Sequence, residues 1–513
     1  MSIDFIIADR DTPFLFPPSV QEWLPQDHLA RFVVDMVSQL DLSSLRGIYT
    51  GKGSRPYDPM MLLSMLFYGY STGVFSSRKL EQASYDSVAF RYITGNQHPD
   101  HDTIATFRKR FSPELQRLFV QILIIAHEMG MLKLGTVSLD GTKVQANASK
   151  HQALSWQYAC KLEKQLQEEV EQLWLFADQA DQAAIPDGMK IPEELERREK
   201  RLATIAEAKR KIEARAAERY EQEKQAYENK LAEREKKAKE SGKKSGGKPP
   251  KPPVPGPKPQ DQVNLTDEES RIMPTSGGGF MQAFNAQACI DIASLLIVAA
   301  FTTQQPNDKQ QIEPAIEALE NLPDQLGQVN ELIADTGFFS QSNVDACEAA
   351  DISPLIAVGR DKHNPSIEDR FSESGPMVND ADSVSKMKNR LKSKEGKAIY
   401  AKRKCTVEPV FGIIKSVLGY RQFMRRGLEN ANAEWTLVSL AWNLKRMHVL
   451  AKPRLKIPVM AAYKAKSGVQ GKQLGVFWCS VRLQWFPMAN MYIKRKFEGL
   501  FALSFSVISP TGC

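Results

Sequence analysis

From Ser155 to Glu240 the chain stops reading like a globular protein. Glu, Lys, Gln, Ala and Arg dominate, and Leu195, Leu202, Ile205, Ile212, Ala216, Tyr220, Tyr227 and Leu231 recur at loose three- and four-residue intervals. That spacing stacks side chains on one helical face. It predicts two long helices, paired as a hairpin or imperfect coiled coil and broken near Pro186–Pro192. Residues 241–260 follow, rich in Lys, Gly and Pro, with Pro249-Pro-Lys-Pro-Pro-Val-Pro-Gly-Pro inside them. This composition gives an extended or disordered linker. Compact, apolar patterning lies on both sides of 151–260. The segment is therefore an insertion, and the globular unit must be assembled from sequence before and after it.

Before the insertion, residues 1–130 read as all-helical. Apolar residues at helical spacing run through 19–40 and 77–92, and Pro59–Tyr70 has Asp58 as N-cap with Pro59 at the first helical position. Two more helices, 103–111 and 113–129, follow a polar turn, the first capped by Asp102 or Thr103. Arg108, Lys109 and Arg110 cluster there. Short helices joined by polar turns, with a basic edge, suit a DNA-binding module; a helical packing domain with a basic edge is the plainer alternative. After the insertion the pattern is strand (280–290), strand (294–302), helix (309–322), strand (329–335), helix (341–350) and strand (352–358). A polar stretch, a basic block from Lys388 to Lys404 and a helix at 435–450 complete it. Residues 451–513 suggest no role.

The whole chain has 513 residues, 42% of them hydrophobic, and a net charge of +7. That is core material for about three domains and a charge that suits a polyanionic partner. The six cysteines are scattered without a C-x-x-C pair, which excludes a zinc ribbon or disulfide framework and points to a reducing, cytoplasmic home. No basic segment precedes an apolar run at the N-terminus, and no apolar run is long enough to span a bilayer.

Three carboxylates stand at informative places. Asp140 falls where the strand Gly135–Leu139 is expected to run out, and Asp335 ends the strand from Val329. Taken alone, each is a common turn residue. Glu408 lies in the segment 400–415, which reads as one amphipathic helix. Steps of four, four, three and four put Tyr400, Lys404, Glu408, Phe411 and Lys415 on one face, with Val410, Ile413, Ile414 and Val417 as the buried stripe. A solvated charged face is the alternative. With the insertion set aside, the order β-β-β-α-β-α-β-α lets the first and fourth strands lie side by side. The two aspartates then meet, and a helix packed on the sheet presents Glu408. Crowded carboxylates repel and resist bare burial. A pair of hard divalent cations relieves that conflict: Mg²⁺ prefers oxygen ligands, and two such ions about 3.5–4 Å apart catalyse displacement at a phosphodiester. No His- or Cys-rich set competes for a metal.

In this order, Val137-Ser-Leu-Asp140-Gly-Thr, Ala334-Asp335-Thr-Gly-Phe-Phe and Tyr400…Glu408…Lys415 resemble the bacterial insertion-sequence transposases of the DDE class. The stretches Trp23-Leu-Pro-Gln-Asp-His-Leu-Ala-Arg31 and Arg55-Pro-Tyr-Asp-Pro59 resemble their helical N-terminal domain. The resemblance spans roughly residues 10–450. It implies an α/β fold, a ribonuclease H-like mixed sheet flanked by helices. The expected parts are an all-α DNA-binding domain (1–130), the catalytic domain (131–150 with 261–450), the helical insertion (151–260) and the tail. It also implies Asp140, Asp335 and Glu408 as catalytic and metal-binding residues, with two Mg²⁺ ions or Mn²⁺ in their place. The partner is double-stranded DNA, both element ends and target, handled by a homodimer or larger synaptic complex with no membrane involved. In such enzymes the third carboxylate lies in a Tyr-x2-Arg-x3-Glu-x6-Lys pattern. Here Arg403 is five residues before Glu408, about 140° around a helix from it, whereas Lys404 shares its face. Lys404, Tyr400 and Lys415 are thus expected to contact DNA, with Arg403, Arg108 and Arg110 as further basic contacts. Two rivals share these residues: a ribonuclease H-like nuclease without strand transfer, and an inactive transposase-derived DNA-binding protein.

Overall fold

The computed structural model describes residues 19–47, 49, 56–180, 191–241, 249–275, 277–359 and 382–467. Arg55, the break near Pro186 and the last part of the tail lie outside them. The chain divides into Met1–Leu450 and Ala451–Cys513, and the description below concerns the first unit.

Among the described residues seven α-helices come first: α1 (Leu29–Ser38), α2 (Ser43–Gly47), α3 (Pro59–Thr72), α4 (Ser77–Asp86), α5 (Val88–Thr94), α6 (His101–Phe111) and α7 (Leu115–Glu128). Asp58 caps α3 as expected, accepting from Met60 N at 3.0 Å. The expected helix over 77–92 is two, parted at Ser87, whose extended backbone ends the first and opens the second. The cap of α6 is Asp100, not Asp102 or Thr103; its Oδ1 accepts from Thr103 N at 2.6 Å.

The strands are β1 (Thr136–Gln145), β2 (Ala153–Ser155), β3 (Gln262–Asn264), β4 (Arg271–Pro274), β5 (Phe280–Asp291), β6 (Ile297–Thr303), β7 (Glu331–Ala334) and β8 (Ser353–Ile356). The main sheet runs β4-β5-β1-β7-β8, with β6 also on β5. β1 pairs antiparallel with β5 and parallel with β7, and β7 pairs parallel with β8. The first and fourth expected strands are therefore neighbours. One expectation fails: β1 does not stop at Asp140. Its partner β5 is long and holds it from Val137 to Gln145, so Asp140 sits inside a strand, at the level where the shorter β7 gives out.

Helix α10 (Ile312–Glu320) connects β6 to β7 and α11 (Gln341–Ala349) connects β7 to β8; α12 (Ser383–Lys392), α13 (Lys394–Ala401), α14 (Arg403–Gly412) and α15 (Leu428–Ser467) come after β8. α15 covers the β5–β6 side. Asn443 exchanges hydrogen bonds with both backbone groups of Ile297, at 2.8 and 2.7 Å, and Trp435 Nε1 donates to Gln287 O at 2.8 Å. Asn443 thereby satisfies groups of the edge strand β6 that would otherwise lack partners, while Trp435 ties the helix to the interior strand β5. A single apolar core joins the N-terminal helices to the sheet, running from Phe67 and Leu118 through Val137 and Ile290 to Trp435.

The insertion is a helical hairpin of α8 (Trp156–Ala180) and α9 (Ile191–Ser241). It is packed on its own small cores, Leu154, Ala159, Leu166, Ile205, Ala208, Ile212 and Val263 at the base and Leu173 with Leu195 further out. β2 and β3 pair with each other where the chain leaves and returns. Residues 242–248 of the expected linker lie outside the described residues; from 249 to 260 the chain has no helix or strand, and its end is fastened to the hairpin, Gln157 N donating to Pro259 O at 3.3 Å, Trp156 N to Asp261 O at 2.7 Å, and Arg219 Nη1 lying 2.8 Å from Asp261 Oδ1.

Candidate active site

The parallel register pairs Ser138 with Ile333, and two residues further on it sets Asp140 level with Asp335. β7 ends there, and the chain turns through Thr336–Phe338. The Asp335 carboxylate caps this turn, accepting from Gly337 N at 2.8 Å. Asp140 is four-fifths buried, its side chain 20% exposed. Burial pushes its carboxyl up to about 7; the negative charges of Asp335 and Asp308 add to the rise, while the Gly141 N–H and Arg403 oppose it.

Glu408 comes from α14, which packs on β1 and β5 through Val407 and Val410, both fully buried. Its carboxylate is 57% exposed. Between it and Asp140 lies Arg403. Nη1 is 3.4 Å from Asp140 Oδ2, Nη2 is 3.6 Å from Glu408 Oε1, and the side chain is only 15% exposed. The expected single helix over 400–415 is three pieces. α13 ends at Ala401, α14 begins at Arg403, and residues 413–417 widen into a π turn. The break makes Arg403 the first residue of its helix, and a long guanidinium side chain crosses the angle that separates it from Glu408. Phe411 stands one helical turn after the buried Val407 and is itself buried, and beyond the π turn Val417 is 70% exposed, both opposite to the expected faces.

Other basic residues divide. Lys404 and Arg110 are exposed, and Tyr400 is half-buried. Lys415 donates to Lys143 O at 2.7 Å, and burial, with help from Arg421, brings its ammonium down to about 8. Arg108 turns inward, its Nη1 donating to Tyr70 Oη at 3.2 Å and Phe75 O at 3.0 Å. Asp308 is the acidic residue that sequence reasoning missed. It follows Gln304-Gln305-Pro306-Asn307, which reads only as a connecting loop.

Among the described residues no three Asp, Glu, His or Cys side chains converge closely enough to hold an ion as they stand. The donor chemistry nevertheless fits a hard divalent cation. The carboxylates are all-oxygen ligands, Asp140 is shielded from water, and it and Glu408 already share a positive group.

The mixed sheet flanked by helices, with Asp140 in β1 level with Asp335 at the end of β7, has a ribonuclease H-like fold. Residues 253–444 match the family model of the transposase DDE domain, and residues 18–110 match that of a transposase domain (DUF772). The two matches together cover more than half of the chain, which belongs to the insertion-sequence DDE transposases. No curated protein matches the chain, and no solved structure does. No helix among the described residues is long and apolar enough to cross a membrane.

Proposed function

We propose that this protein binds the ends of its own element as double-stranded DNA, cleaves phosphodiesters there and joins the freed 3′-OH ends to target DNA. The observation that carries this reading is the level placement of Asp140 and Asp335 on adjacent parallel strands, with Glu408 tied to Asp140 through Arg403. Asp140, Asp335 and Glu408 would hold Mg²⁺, with Mn²⁺ as a substitute. Two ions, when bound, supply activation of the attacking oxygen and neutralisation of the leaving one.

The rest falls to the chain. Arg403 gives a guanidinium fork matched to a phosphate. Lys404 and Arg110 give exposed charges for the DNA backbone, with Tyr400 and Lys415 beside the same helix. In cleavage, water oxygen bonds phosphorus as the P–O3′ bond breaks, and the 3′ oxygen takes a proton. In transfer, that 3′-OH loses its proton and its oxygen bonds a target phosphorus as the target P–O3′ bond breaks. One phosphodiester replaces another, so no external energy source is needed. Two element ends must meet, which calls for a homodimer or larger synaptic assembly.

Asp140→Ala, Asp335→Ala and Glu408→Ala should each abolish cleavage at element ends while DNA binding survives. Purified variants given end-bearing DNA with Mg²⁺, Mn²⁺ or EDTA will decide. Near-normal nicking by Glu408→Ala, or wild-type cleavage in EDTA, would end the metal-dependent reading. Cleavage with no joined product in a strand-transfer assay would leave the nuclease.

A further inference from the structure

Past the level of Asp140, one edge of β1 is left open. Among the described residues β7 pairs with Thr136, Val137 and Ser138 only. On that side the backbone is met again at Gln145, whose N–H donates to Arg421 O at 3.1 Å and whose carbonyl accepts from Phe423 N at 2.8 Å. Backbone groups of alternate residues face the same edge of a strand. Those of Leu139, Gly141 and Lys143 therefore face the gap between the end of β7 and Arg421. From the level of Asp140 to Gln145 the gap runs roughly 17 Å, at about 3.3 Å per residue. Within it Lys143 O takes the Lys415 ammonium at 2.7 Å, and Gly141 N donates to Asp140 Oδ1 at 2.8 Å.

The loop Leu418–Gly427 closes the far end of the gap. Buried Tyr420 and Phe423 anchor it, and Asn147 Nδ2 donates to Met424 O at 2.7 Å. From Pro409 to Leu428 the sequence has Lys415, Arg421, Arg425 and Arg426 and no acidic residue. Arg425 is spent on Ser112 Oγ. Arg421 and Arg426 are exposed, and each is fixed through Nε, to Lys415 O at 3.1 Å and to Asn147 O at 3.2 Å. Among the described residues their Nη groups have no hydrogen-bond partner and no carboxylate. The charge of Arg421 bears on the Lys415 ammonium. Two guanidinium groups are thus held by the stem with their forks free, beside a third positive charge. Cations gathered without a counter-ion attract an anion, and a planar fork held in place matches the oxygens of a phosphate.

We propose that the open edge of β1 and the loop Leu418–Gly427 form a track for the DNA backbone, in which Arg421 and Arg426 grip phosphates of the strand leading away from the reacting phosphodiester. The proposal rests on the DNA-cleaving reading above. On a duplex the track spans about five base steps. It holds DNA of any sequence, because phosphate contacts position the duplex and base contacts specify it.

Fluorescence anisotropy with an end-bearing duplex in EDTA, repeated across salt, tests it. Arg421→Gln and Arg426→Gln should each lower the slope of log affinity against log salt by about 0.9, with melting unchanged. Arg421→Lys should restore the wild-type slope. Lys200→Gln, which removes an exposed charge from the hairpin, should leave the slope as it is. A second measurement locates the contact. Uncharged methylphosphonates are placed one at a time within about five nucleotides of the cleaved bond. At one position the change should weaken binding by the wild type and have no further effect on Arg421→Gln. If the wild type binds the duplex and both glutamine variants keep its slope, or Lys200→Gln lowers the slope as much as they do, the track is overturned alone. Equal methylphosphonate losses in both proteins at every position also overturn it. If the wild type does not bind the duplex, the DNA-cleaving reading falls and takes the track with it.

Discussion

Arg403 meets Asp140 and Glu408 at the same time, as a single positive charge between two negative ones. Its fork also suits a phosphate, so on the proposed reading DNA would compete with the carboxylates for it. Arg403→Ala should therefore lower cleavage by about 100-fold, since guanidinium contacts to a reacting phosphoryl group carry several kcal/mol. Lys404→Ala should mainly flatten the salt dependence of DNA binding by roughly one phosphate contact. Cleavage rates and binding titrations across salt check both, and a larger cleavage loss for Lys404→Ala would reverse the assignment. Asp140 gives a prediction in pH. Its folded carboxyl sits at about 7, above its ordinary value of 3.8, so the folded state holds the proton more tightly than the unfolded chain. The stabilisation is full below the ordinary value and is lost as pH rises through about 7. In EDTA, wild-type melting should fall from pH 5 to pH 8 by more than that of Asp140→Asn, the difference reaching a few kcal/mol at most. Parallel curves would show that burial does not burden this carboxylate.

At the scale of elements, the strand order was legible because alternating strand and helix patterns fix which strands can be neighbours. The end of β1 was not. A strand's length is decided by its partner, and β5 lies beyond the insertion. The helix at Glu408 was legible in its apolar residues Val410 and Ile414 and illegible in its breaks. Nothing local in Ala401-Lys402-Arg403 interrupts a helical pattern, so the structure alone puts Arg403 at a helix start. Arg108 shows the same limit: a basic residue in a basic run gives no sign of facing inward. Two tests belong here. Lys415→Ala removes a charged hydrogen bond that ties the π turn to β1, and should cost about 1.5–3 kcal/mol of stability where Lys404→Ala costs almost nothing; denaturant melts of both variants compare them. Replacing residues 160–255 by a short Gly/Ser linker should keep a cooperative melt, because the hairpin's apolar clusters are separate from the main core. Loss of the transition in circular dichroism would make the hairpin part of that core.

At the scale of the molecule, the N-terminal helices α3 and α6 are tied to α15 by a buried polar cluster of Tyr70, Arg108 and Glu434. Glu434 is 2% exposed and accepts from the backbone N–H groups of Met424 and Arg425 at 3.0 and 3.2 Å. Burial raises its carboxyl, and the charge of Arg108, from α6, is the first influence opposing that rise. Arg108→Ala should therefore destabilise by about 3–5 kcal/mol, the cost of leaving a buried charge without its counter-charge. Chemical denaturation reads it directly, and a loss under 1 kcal/mol would free Arg108 for a role at the surface. The two short strands at the root of the hairpin have a different consequence. β2 and β3 pair with each other, so the points where the chain departs and re-enters are fixed to one another whatever lies between them. Helical turns can be added to or removed from both arms without shifting β1 against β5. The hairpin is thus a cassette: a foreign domain grafted at its far end should leave the catalytic register as it was.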